Sequence, residues 1–328
     1  MNKRKAKSFY ITMWRWHFFA GLIIAPLLFL LTISGIIYLF TPQIEERLYA
    51  DYYQVEAEGE SIAPSEQIDS VLNHYADANI TRYRPGEVEE RSAEVHISLQ
   101  DENLIVFVNP YNGSVIGEQP EHQRFSTIIK DLHGEFMLGT FGDRLVELAA
   151  CWTLVLILTG MFMWLPKNKN TLFGVLIPRV RKGKKIVIRD LHVVPGFWIS
   201  GGLVFLILTG LLWTGLWGTM AQNLATNSGV GYPPSVWVGS PPESNVKTKE
   251  VADVPWAAQN LPVPASDMNG YVPVSIDDVV RTANEMNIHP TYEVIYPSSK
   301  EGVYTLSAFP PKAEDEATIH IDQYTGQF

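Results

Sequence analysis

Three uninterrupted apolar runs divide the chain: Phe18–Phe40, Leu148–Leu165 and Val193–Trp217. None contains an Asp, Glu, Lys or Arg. A helix rising ~1.5 Å per residue crosses a hydrocarbon core of ~30 Å in about 20 residues. A buried helix of a water-soluble domain rarely needs so long an uncharged stretch, so each run is expected to span a membrane.

Elsewhere the pattern changes period. After an acidic linker, Ser65-Glu66-Gln67-Ile68 opens a helical pattern with Ile68, Val71, Leu72 and Tyr75 on one face. Alternating segments at Glu94–Gln100 and Leu104–Asn109 read as strands. The turn signal Asn109-Pro110-Tyr111-Asn112-Gly113 follows, and Ser114–Gly117 starts another strand. The unit then recurs: a helix from Val274 through Met286, strands at Tyr292–Tyr296, Gly302–Phe309 and Thr318–Ile321, and the turn Asp322-Gln323-Tyr324-Thr325-Gly326. Ile105–Gly113 (IVFVNPYNG) aligns with Thr318–Gly326 (TIHIDQYTG), which marks an internal repeat.

The expected fold class is a membrane α-helical bundle of three spans with two small α+β units outside the bilayer. Its segments are the N-terminus with the first transmembrane helix (1–41), the first α+β unit (42–125), and an amphipathic segment with the second helix (126–165). A basic loop (166–192), the third helix (193–217), an irregular connector (218–272) and a second, truncated α+β unit (273–328) follow. Pro26 is expected to kink the first helix.

Charge orients this arrangement. The net charge is −10, but residues 1–17 carry +5, residues 166–192 carry +7 and the remainder −22. Basic loops stay on the cytoplasmic side, so both basic stretches are expected inside and both acidic α+β units in the periplasm. The basic loop is bracketed by two spans, which argues against nucleic acid as a partner and for the lipid bilayer. The single cysteine, Cys151, excludes a disulfide framework. No HExxH, P-loop, GxGxxG or GxSxG motif is present.

Of eight histidines, His74, His96, His122, His289 and His320 fall in the α+β units and read as ordinary surface or half-buried residues. His17, His133 and His192 instead stand where apolar spans begin. They read either as interfacial polar residues or as axial ligands of haem iron, for which imidazoles from facing helices are a recurrent choice. Gly21 and Gly196, each four residues after a histidine, would let a flat macrocycle approach. Met161, Met163 and Met220 read as packing residues. Leu158-Thr159-Gly160 and Leu208-Thr209-Gly210, echoed by Leu31-Thr32-Ile33-Ser34-Gly35, read as notches for close helix packing.

Four stretches together resemble the PepSY-associated transmembrane proteins, also called iron-regulated membrane proteins: WRWHFFAG at 14–21, DLHGEFMLG at 131–139, LTGMFMW at 158–164 and RDLHVVPGFW at 189–198. The two α+β units resemble PepSY domains in their NPYNG and DQYTG turns. Some members of the family are b-haem ferric-siderophore reductases of the bacterial inner membrane. The resemblance implies an oxidoreductase for iron uptake, with two haem b groups in a complete member. Electrons would flow outward from an electron donor to a periplasmic ferric chelate or siderophore, with His17, His133 and His192 as candidate ligands. Family members have a fourth helix that opens with another histidine. Here that helix is expected either to have been lost by truncation or to be supplied by a separate chain. The alternative function is a membrane-anchored PepSY module that binds peptides, proteases or a partner protein without redox activity.

Overall fold

A computed structural model of the chain describes residues 3–165, 174–228, 246–266 and 272–328. Parts of the basic loop and of the connector, residues 166–173, 229–245 and 267–271, lie outside the described residues. In chain order the elements are α1 (Lys3–Leu39), α2 (Thr41–Leu48), α3 (Ala50–Tyr53), α4 (Pro64–His74), β1 (Asn79–Arg84), β2 (Ala93–Leu99), β3 (Glu102–Val108), β4 (Val115–Pro120), α5 (Phe125–Glu135), α6 (Gly139–Trp164), α7 (Lys184–Leu211), α8 (Gly215–Asn227), α9 (Thr248–Val251), α10 (Ile276–Glu285), β5 (Tyr292–Ile295), β6 (Val303–Ala308) and β7 (Ala317–Asp322). They divide into two compact units, one holding α1, α6 and α7 and the other holding the sheet.

In the helical unit α6 packs against both α1 and α7. All three helices are long and apolar enough to cross a membrane. Their outer faces expose Phe19, Leu22, Ile23, Phe29, Leu158 and Phe205, an apolar surface that lipid rather than water must cover. Helix α1 is unbroken through Pro26. Helix α7 departs from the expected boundaries at both ends. It begins at Lys184 because Asp190, fully buried, ties the preceding basic turn down, accepting from Arg179 N (3.1 Å), Nε (2.7 Å) and Nη2 (3.0 Å). It ends at Leu211 rather than Trp217, and the chain restarts as α8 at Gly215. The first amides of a new helix need acceptors. Asp143 of α6 takes Gly215 N at 3.2 Å, and Glu147 takes Leu216 N at 2.7 Å and Trp217 N at 2.9 Å. Glu147, the acid nearest the second span, is therefore a helix cap.

The two predicted α+β units are halves of one antiparallel sheet, ordered β4-β3-β2-β1-β5-β6-β7. Strand β1 joins them, pairing Arg82 with Ile295 and Tyr83 with Val294. Outward from that seam β5, β6 and β7 repeat β1, β2 and β3, and β4 extends the first half by one strand. The repeat extends to the turns. Asn109 accepts from Tyr111 N (2.8 Å) through its side chain and from Gly113 N (2.9 Å) through its carbonyl. Asp322 does the same to Tyr324 N (2.9 Å) and Gly326 N (3.0 Å). Gly113 and Gly326 close these turns at φ 70° and 69°, where a side chain would be strained.

Helices α4 and α10 pack together and enclose the core with Ile68, Val71, Ile276, Val279 and Ala283, against Tyr83, Val95, Val106, Val294 and Leu306 from the strands. Asp277 of α10 fastens the pair, accepting from Ser65 N (2.9 Å) and Ser65 Oγ (2.6 Å) of α4. The opposite face of the first half is covered too, by Tyr49 and Tyr53 against Ile105 and Phe107. This is why β3 is buried at every position from Leu104 to Val108.

Candidate functional site

His17 lies on α1 and His192 on α7, and their imidazoles meet inside the helical unit with ring centres 6.2 Å apart and planes inclined at 67°. Each stands on a long helix, so its position is set by helix packing rather than by a loop. His17 is half-buried and His192 exposed. Two imidazoles on opposite sides of one metal, each bound at about 2 Å, have ring centres about 6 Å apart. The centre-to-centre spacing of the pair matches that of such a donor set. Added at Gly196, a Cβ would meet nothing within 4 Å, and one at Gly21 would meet only Leu156 Cδ2, at 3.9 Å. Space remains beside both histidines. Among the described residues no cluster of three or more His, Cys, Asp or Glu side chains is arranged to hold a bare metal ion; a haem asks the protein for only two donors.

His133, on α5, packs against the other end of α1. Its Nδ1 is 3.0 Å from Ser34 Oγ and 3.1 Å from the Leu31 carbonyl. Seventeen residues of α1 separate His17 from Ser34, about 25 Å along the axis. The structure thus brings His17 and His192 together and leaves His133 at a separate site. Within the helical unit no second imidazole faces His133 among the described residues. Immediately after α5, Phe136 and Met137 both adopt positive φ (50° and 60°), an uncommon conformation for non-glycine residues that forces the sharp turn into α6.

Two of the three predicted notches, Thr159-Gly160 and Ser34-Gly35, receive histidine rings, a role that sequence alone did not reveal. Thr159 Oγ1 lies 3.0 Å from His17 Nδ1, and a Cβ at Gly160 would stand 3.1 Å from His17 Cε1. Ser34 and Gly35 treat His133 in the same way, with a Cβ at Gly35 falling 3.0 Å from its Cε1. Thr209-Gly210 repeats the motif on α7, but nothing described lies within 4 Å of a Cβ at Gly210. The sequence signal was the recurrence of a hydroxyl residue immediately before glycine. Met161 acts in packing, with Ser200 Oγ 3.9 Å from its sulfur.

A second concentration of charge lies in the sheet unit, beneath α2 and α3. Arg124 reaches Glu94 Oε2 (3.1 Å), Glu45 Oε2 (3.2 Å) and Tyr53 Oη (3.0 Å), while Arg91 lies over the Tyr53 ring at 4.0 Å. His96, expected to be surface or half-buried, is buried; it stands 3.8 Å from Glu94 and 3.7 Å from Glu121, ion-pair rather than hydrogen-bond distances. Burial pushes the Glu94 carboxyl up, but His96 and Arg124 outweigh it and hold the group well below the usual carboxylate range. Burial likewise disfavours a charged His96, and the facing Glu121 and Glu94 reverse that, raising its pKa. Alternation along β2 marks Glu94 and His96 as outward-facing; the strand pattern gave no sign that α2 and α3 would roof that face.

The fold and its histidine-bearing spans define an integral membrane protein that carries an internally repeated α+β sheet outside the apolar helices. A family model described as the PepSY-associated TM region matches residues 14–297, and the chain belongs to that family. No curated protein matches the chain.

Proposed function

We propose that this protein is an inner-membrane haem protein that passes electrons outward to reduce periplasmic ferric chelates during iron uptake. The observation that carries the reading is the His17–His192 pair, two imidazoles on separate spans at the spacing of an axial donor set. A bound haem b supplies one-electron redox chemistry. The chain's own residues hold and orient it: His17 and His192 as donors, with Gly196 and Gly21 leaving room for the ring. His133, about 25 Å away along α1, is the donor of a second site toward the opposite membrane face. With a centre at each level, α1 becomes the scaffold of a transmembrane electron path.

In this reading the basic first turns of α7 face the cytoplasm, the side of the electron donor, and the acidic sheet unit faces the periplasm. The iron is substrate. Siderophore oxygens hold Fe(III) as a hard cation, and adding one electron weakens that hold.

The test is reduction of an external ferric hydroxamate by proteoliposomes containing the full chain and an internal reductant, with Fe(II) read by a colorimetric chelator. Fe(II) should appear with wild-type protein and fall at least tenfold with His192→Ala. Equal rates for the two proteins would overturn the reading.

A further inference from the structure

We propose that Thr159-Gly160 and Ser34-Gly35 are two copies of one device that selects the tautomer of a histidine and presents its Nε2 as a bare lone pair. The hydroxyl takes the Nδ1 proton, and the glycine admits the edge of the ring. The proposal rests on the haem reading above for the identity of what Nε2 binds; the tautomer itself follows from the hydrogen bonds.

A hydroxyl has one hydrogen. Thr159 spends its hydrogen on its own helix, donating to Val155 O at 2.8 Å, with Leu156 O at 3.1 Å. Toward His17 Nδ1, 3.0 Å away, it has only lone pairs to offer. With the hydroxyl hydrogen on Val155 O, Nδ1 carries the proton and Nε2 does not. Ser34 is engaged identically, donating to Leu30 O at 2.8 Å, with Leu31 O at 3.2 Å. His133 makes the assignment twice over, because its Nδ1 also faces the Leu31 carbonyl at 3.1 Å, and a carbonyl can only accept. Ser34 and Thr159 are both buried, so water does not compete for the ring proton there.

The glycines complete the device. In each cradle the atom nearest the missing Cβ is Cε1, at 3.1 and 3.0 Å, closer than any side chain would comfortably allow. Nε2 is the most distant of the three ring atoms at each glycine, at 4.0 and 3.8 Å. A hydrogen-bonded Nδ1–H fixes ring orientation and makes Nε2 a stronger donor, the usual outer-shell arrangement at metal-bound histidines. Thr159 and Ser34 are thus positioning residues. Thr209-Gly210 has the same internal hydrogen bonds, Thr209 Oγ1 to Phe205 O at 2.9 Å and Leu206 O at 3.2 Å, but faces no described histidine; it serves as the internal control.

The experiment is ¹⁵N NMR of histidine-labelled, haem-free full-length protein in micelles, with haem titration of the same samples. Free histidine favours the Nε2–H form, so a dominant Nδ1–H form at His17 and His133 is the expected and diagnostic result. Thr159→Val should convert His17 to a mixture and weaken haem affinity about 10–100-fold, while Thr159→Ser retains the wild-type spectrum and affinity. Thr209→Val should change neither. An Nε2–H form at His17 in the wild type, or an unaltered tautomer in Thr159→Val, overturns the proposal. Because the NMR measurement contains no haem, it decides the tautomer even if the wild type proves unable to bind haem, a result that would defeat only the function proposed above.

Discussion

Four glycines of the helical unit separate the contacts that matter from those that do not. A Cβ at Gly160 or Gly35 would stand 3.1 or 3.0 Å from a histidine Cε1, whereas one at Gly196 or Gly210 would meet nothing within 4 Å. Carbon atoms pack at about 3.5–4.0 Å, so Gly160→Ala must push the His17 ring back by about 0.5 Å. That displacement stretches its 3.0 Å bond to Thr159 to the limit of hydrogen bonding. Overpacking of this kind costs about 1–3 kcal/mol. Replacing glycine with alanine inside a helix returns about 1 kcal/mol when nothing is in the way. Gly160→Ala and Gly35→Ala should therefore lie between neutral and destabilising by about 2 kcal/mol, and Gly196→Ala and Gly210→Ala should be stabilising by up to about 1 kcal/mol. The two classes differ by the overpacking cost, about 1–3 kcal/mol, so at about 2–4 °C per kcal/mol they should melt about 2–12 °C apart. Cys151, half-buried in α6, is the chain's single thiol, so a fluorogenic maleimide added during heating reports the opening of this unit. Haem titration adds a second axis: Gly196→Ala should melt higher without haem yet bind it more weakly, because its methyl enters the space left for the macrocycle. Equal melting temperatures for Gly160→Ala and Gly210→Ala would refute the close approach of His17 to α6.

Three further outcomes follow from the sheet unit. Arg124→Met strands Glu94 and Glu45 in a buried site and should cost about 3–5 kcal/mol, read as a lower urea midpoint for loss of β-structure. Asp277→Ala removes both bonds to Ser65 and should cost about 1–3 kcal/mol, with accelerated hydrogen exchange in α4 and α10. Burial lowers His320 to about 4, below its ordinary 6.5, so the folded state holds it neutral. Its contribution is complete above pH 6.5 and is lost as pH falls toward 4, up to about 3 kcal/mol; His320→Asn should flatten urea midpoints between those pH values.

The spans, the repeat and the turn chemistry were legible because each has a period or a local rule. Uncharged runs of spanning length mark α1, α6 and α7, and NPYNG and DQYTG mark equivalent turns. Strand β1 was missed because Asn79–Arg84 reads as polar. Only Tyr83 is fully buried there, and Arg82 is matched across the seam by Glu293 at 3.2 Å. The union of two units into one sheet depends on that strand, so it was missed as well. Residues 42–61 read as an acidic linker, and α2 and α3 at its start were missed because Glu45 and Tyr53 find their partners in Arg124 and Phe107, far away in sequence. The early end of α7 likewise depends on two carboxylates of α6. At the candidate site, the positions of His17 and His192 at the mouths of spans were legible. Their similar depth left open a shared site or two separate ones, and helix packing decides for proximity; the role of Thr159 and Ser34 was not legible, since their histidines lie at least 99 residues away in the chain.

The most direct test of the haem reading is titration of haem b into purified full-length protein, wild type against the His17→Ala/His192→Ala double variant, followed by the Soret and α bands in both oxidation states. The wild type should give the reversible spectrum of a six-coordinate haem with two imidazole ligands, and the double variant should lose that component. A wild type that leaves haem with its free-solution spectrum, or a double variant with an unchanged spectrum, would contradict it.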